Sequence, residues 1–153
     1  MNYETLLTEC DSLGLVVKEK PLQCSDGLIR QNKIAIRKDI ETQAEKACVL
    51  AEELGHYYTT TTGDIIDQSN AANRKQELRA RAIAYNNQIG LAGIIKSFKA
   101  NCHDQYEMAD FLGVPEKFLV EALEYYRGKY GISTEFDNYV IYFEPLGVLE
   151  LYK

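Results

Sequence analysis

Cys48-Val49-Leu50-Ala51-Glu52-Glu53-Leu54-Gly55-His56-Tyr57-Tyr58 is the stretch from which the rest of the chain can be read. Ala47, Val49, Leu50, Ala51 and Leu54 put apolar side chains on several sides of a helix, which is the pattern of a buried helix. Just ahead, Thr42-Gln43-Ala44-Glu45 is a capping box: the threonine hydroxyl can accept from the third amide while the glutamate reaches back. Burying Glu52, Glu53 and His56 in such a helix is costly unless something pairs with them, and that cost argues for a site. Glu52 and His56, four apart, share a face and can converge on one ion. Glu53 lies one step round, where it can reach a water at that ion without being a ligand.

A third ligand must come from another element. Glu77 follows at a distance that allows a loop and one helical turn, at the head of Glu77-x-x-Ala80-x-x-x-Ala84. Small residues at Ala80 and Ala84 would let this second helix lie close against the first. A plainer reading makes Glu52, Glu53 and Glu77 solvated charges and His56 a helix-end histidine favoured by the macrodipole. The apolar flanks, the capping box and the placing of Glu77 favour the site.

Working outward to the N-terminus, Tyr3, Leu6, Leu7, Cys10 and Leu13 predict a helix over residues 3–13, stopped by Gly14. A short strand over Leu15 to Lys18 should end before Pro21. Gly27 to Arg30 and Lys33 to Arg37, with a turn at Gln31-Asn32, form a hairpin whose second strand buries Ile34 and Ile36. Beyond the central helix, Thr59 to Thr62 ends it, Gly63-Asp64 turns, and Ile65-Ile66 can pack on the core. A second long helix covers 71–88, Gly90 breaks it, and Leu91 to Phe98 continues as another.

From His103 the pattern changes. A short helix over Asp104 to Leu112 is stopped by Gly113, and Pro115 opens a helix with Phe118, Leu119, Ala122, Leu123 and Tyr126 in a stripe. This outline is helix-turn-helix-like, and Tyr139 to Phe143 with Val148 to Tyr152 closes it as a hairpin. The expectation is an α+β fold: a small N-terminal antiparallel sheet packed on a zincin-like helical body, then the helix-turn-helix-like part. Residues 1–100 would form the core and 101–153 the C-terminal part, packed as one compact unit.

The 153 residues are 46% apolar and 26% charged, an ordinary globular composition. A net charge of −6 disfavours direct DNA binding, as does the mixture of Glu116, Lys117, Glu121, Glu124, Arg127 and Lys129 on the candidate recognition helix. Cys10, Cys24, Cys48 and Cys102 are widely spaced without a C-x-x-C pair, which points to reduced thiols and a cytoplasmic location. No signal peptide or membrane span is expected.

Leu50 to Tyr58, followed by Glu77-Leu78-Arg79-Ala80-Arg81-Ala82-Ile83-Ala84, resembles the ImmA/IrrE family of metallopeptidases of prophages, mobile elements and bacterial stress-response loci. The resemblance runs over nearly the whole chain. It implies a zinc-dependent endopeptidase that cuts a helix-turn-helix transcriptional repressor, with His56 and Glu77 as metal ligands and Glu53 as catalytic base. Glu52 departs from the pattern: the family has histidine as first ligand, so E-E-x-x-H replaces H-E-x-x-H. A carboxylate can ligate zinc, but it lowers the ion's Lewis acidity and shifts preference towards harder ions such as manganese. The alternative is a catalytically weak or inactive member that binds the repressor, or DNA, without cutting.

Overall fold

The computed structural model describes residues 1–60 and 70–152, so the turn expected at Gly63-Asp64 and the packing of Ile65-Ile66 lie outside the described residues. The chain forms two compact units, Met1–Asn87 and Gln88–Lys153. The architecture is α+β, as the sequence pattern predicts.

In the first unit, α1 (Tyr3–Ser12) starts at Asn2, whose side chain accepts from the Thr5 amide at 2.8 Å, and it buries Tyr3, Leu6 and Cys10. β1 (Val16–Lys20), β2 (Gly27–Arg30) and β3 (Lys33–Arg37) form one sheet in the order β1-β3-β2. The β2–β3 hairpin falls where Gln31-Asn32 puts it, with Gln31 at φ 56°. The expectation of an antiparallel sheet needs correction, because β1 pairs with β3 in parallel and the sheet is mixed. The physical reason is that β3 carries Ile34 and Ile36, both buried, and the strand with most to bury takes the centre. β1 is left to join on the far side from β2.

α2 (Gln43–Thr60) begins at the capping box, where the Glu45 amide donates to the Thr42 hydroxyl oxygen at 3.1 Å. Towards its end the hydroxyls of Thr59 and Thr60 donate back to the carbonyls of Gly55 and His56. The helix is apolar nearly all round because it has neighbours on several sides. α1 and the sheet both pack on it, and its glycine meets α3 (Asn70–Gln88). Alternation along the strands then sorts the sheet residues. Gly27 and its partner Ile36 face α2, as does Glu19, which pairs with Lys46 of α2 at 2.8 Å. The opposite set, from Val16, Lys18 and Lys20 to Leu28, Arg30 and Lys33, faces away.

The second unit holds α4 (Gly90–Lys99), α5 (Gln105–Leu112), α6 (Glu116–Tyr130) and a sheet of β4 (Ser133–Phe136), β5 (Tyr139–Phe143) and β6 (Leu146–Glu150) in the order β4-β5-β6. Asp104 caps α5 by accepting from the Glu107 amide at 2.8 Å, and Gly113, left-handed at φ 70°, ends it. α6 buries Phe118, Leu119, Ala122 and Tyr126, the expected stripe less its Leu123 edge. Tyr130 stacks on both Tyr126 and Phe143 of β5, with ring centroids 6.4 and 6.2 Å apart, and Tyr126 meets Phe143 tilted at 6.4 Å. The expected closing hairpin is present and has a third strand, β4, joined through a two-residue turn at Asp137-Asn138.

Candidate active site

Position along α2 sets the chemistry of Glu52, Glu53 and His56. Glu53 points towards the sheet and is only 9% exposed. A β-carbon on Gly27 of β2 would stand 2.8 Å from its Oε1, so the carboxyl group rests against bare backbone. Burial raises the pKa of Glu53 to about 7, with the negative charges of Glu52 and Glu77 adding to the effect. A carboxylic acid in that position exchanges its proton near neutral pH, which suits a group that takes and returns protons.

His56 lies one turn further along α2 and is partly exposed. Its Nε2 stands 3.2 Å from Oε2 of Glu77, which comes from α3. Arg81, one turn on from Glu77, approaches the other carboxylate oxygen at 3.5 Å and helps to hold it. What brings the two helices to this separation is backbone contact. A β-carbon at Gly55 would lie 2.2 Å from the carbonyl oxygen of Ala80, and Ala80 and Ala84 are fully buried. Only glycine on one helix facing alanine on the other permits so close an approach.

The structure therefore joins His56 to Glu77 and sets Glu53 within the field of Glu52 and Glu77. Glu52 itself is half-buried. Among the described residues, no group of three histidine, cysteine, aspartate or glutamate side chains is gathered closely enough to hold a metal ion. The donor chemistry can still be compared with a divalent ion. Two ligands of a tetrahedral zinc lie roughly 3.3–3.6 Å from each other. The 3.2 Å between His56 and Glu77 is close to that spacing, so the pair fits two corners of such a site.

Sequence reasoning missed Gly27, Gly55 and Arg81. Gly55 carried a signal: an internal helix glycine costs roughly 0.5–1 kcal/mol against alanine, so its presence points to a close approach. A further unforeseen contact is the hydroxyl of Tyr58, which donates to the carboxylate of Glu9 and ties α2 to α1. Burial and that carboxylate push the Tyr58 pKa up to about 12. His103 is exposed and pairs with Glu107 of α5 at 3.1 Å.

Comparison with known families matches residues 10–124 to Peptidase_M78, the IrrE N-terminal-like domain. No curated protein and no solved structure gives a significant match. The four cysteines are free, and no helix among the described residues is long and apolar enough to cross a membrane.

Proposed function

The chain belongs to the IrrE N-terminal-like peptidase family, and from this we propose that it is a metal-dependent endopeptidase acting on a helix-turn-helix transcriptional repressor. His56 and Glu77 would hold the ion; Glu52, at the position of the family's first histidine, is not gathered with that pair in the structure and would have to turn towards it to serve as third ligand. Zinc is the expected ion, with manganese favoured in proportion to the number of carboxylate ligands. The observation that carries the reading is the 3.2 Å approach of His56 to Glu77, two donors delivered by different helices beside a buried acid.

When bound, a divalent ion supplies Lewis acidity to the scissile carbonyl and makes water easier to deprotonate. The chain's own residues do the remaining work. Glu53 accepts a proton from the attacking water as oxygen adds to the carbonyl carbon. As the carbon–nitrogen bond breaks, Glu53 passes that proton to the leaving amine. Arg81 keeps Glu77 turned towards His56, and Gly27 leaves room for the Glu53 carboxyl group. The net charge of −6 favours encounter with the basic face of a DNA-binding protein.

Glu52 supports a second reading, a member that binds the repressor and cuts slowly or not at all, because a second carboxylate ligand weakens the ion's polarising power. One experiment separates the two. Purified protein is analysed for metal and incubated with the repressor encoded beside it, and the products are identified by mass spectrometry. Cleavage that stops in Glu53→Gln, with the metal retained, supports the enzyme. A chain that holds no metal and leaves the repressor intact, yet binds it, supports the second reading.

A further inference from the structure

The outer face of the N-terminal sheet, turned away from α2, concentrates positive charge in an acidic chain. Lys18, Lys20, Arg30 and Lys33 surround a floor that includes Val16 and Leu28, in a concavity of ≈ 320 Å³. Val16 and Leu28 remain 44% and 47% exposed. No strand carboxylate shares this face, since Glu19 turns to the other side and pairs with Lys46. Arg37 is occupied by Asp26 and Asp39, both at 2.9 Å. Among the described residues none of the other four cations forms an ion pair.

Arg30 and Lys33 stand directly opposite each other across the hairpin. Like charges so placed destabilise a sheet, and no carboxylate among the described residues pairs with either of them. An anionic partner would relieve that repulsion, and exposed apolar side chains would gain cover from the same partner.

We propose that this face is a docking surface for an acidic polypeptide segment that also carries apolar side chains. The floor selects for a polypeptide, since phosphates would gain nothing from Val16 and Leu28. The three strands contain no aromatic residue on which bases could stack, which argues against single-stranded nucleic acid. A concave face also fits a protruding segment better than a flat bilayer. Because it lies across the sheet from Glu53, an occupant leaves the candidate active site uncovered. The readout is binding, so it stands whether or not the chain cuts its partner.

The test uses the full chain and a short fluorescein-labelled peptide alternating glutamate and leucine, followed by anisotropy. The peptide should bind, more weakly as salt rises. Replacing Lys18, Arg30 and Lys33 together by glutamate should weaken it by at least about tenfold, because three attractions become repulsions. Leu28→Ser, at an exposed position that leaves every charge in place, tests the floor separately and should also weaken binding. Absence of binding to the wild type overturns the proposal. So does equal affinity for oligothymidylate, for anionic vesicles or for the matching lysine–leucine peptide, or binding unchanged in both variants.

Discussion

Replacing Glu53 by glutamine tests the electrostatics of the site without reference to any substrate. In the metal-free chain the pKa of Glu53 stands at about 7 against an ordinary 4.5, chiefly because burial disfavours the charged form. The folded state therefore holds a proton that the unfolded chain has lost throughout that window. Stability contributed by the neutral acid is complete below the unfolded value and is lost as pH rises through the folded one. The interval corresponds to about 3 kcal/mol at alkaline pH. Glutamine keeps the shape of the neutral acid and cannot ionise. Urea unfolding of both proteins in the presence of a chelator, over a range of pH, gives the difference between them, and groups common to both cancel. The variant should gain on the wild type by about 3 kcal/mol between acid and alkaline pH. A difference that stays flat across the range would mean that Glu53 ionises normally, and the proton-transfer role would lose its physical basis.

Other perturbations reach separate parts of the argument. Gly55→Ala places a β-carbon 2.2 Å from the Ala80 carbonyl oxygen, and backbone cannot move aside as a side chain can. It should cost about 1–3 kcal/mol in urea unfolding and lower metal affinity by parting His56 from Glu77; an unchanged midpoint would refute the close approach. Glu52→His restores an imidazole beside Glu53 and should tighten zinc in competition with a chromophoric chelator. Weaker binding in that variant would mean position 52 is no ligand. In the second unit, Asp104→Ala removes the acceptor for the Glu107 amide and should destabilise the protein by about 1 kcal/mol in denaturant.

Where the sequence reading and the structure part, the cause is the range of the interaction. β4 escaped notice because Ser133-Thr134-Glu135-Phe136 has little apolar alternation, although Asp137-Asn138 between Phe136 and Tyr139 is a turn signal. β6 begins at Leu146, earlier than expected, because the register pairs Leu146 with Phe143 across a two-residue connection. In the candidate site, helical spacing puts Glu53 and His56 on one helix, whereas Glu77 is picked out by its distance along the chain from His56, to which the structure brings it within 3.2 Å. The roles of Gly27 and Arg81 could not be read in that way, since each depends on which atoms of other residues lie opposite.

The sequence by itself determined what neighbouring residues settle among themselves. These are the capping box at Thr42, the hairpin turn at Gln31-Asn32, the stop at Gly113, and the spacing that puts an acid and an imidazole one turn apart. Each is a matter of dihedral preference and hydrogen bonds within a few residues. Only the tertiary structure decided that β3 lies between its two partners with β1 in parallel, and that Gly55 meets Ala80 backbone to backbone. The same packing buries Glu53 far enough to raise its pKa to about 7 and leaves four cations together on the outer face of the sheet. Burial and field depend on all the neighbours in space, and those are chosen when distant segments pack.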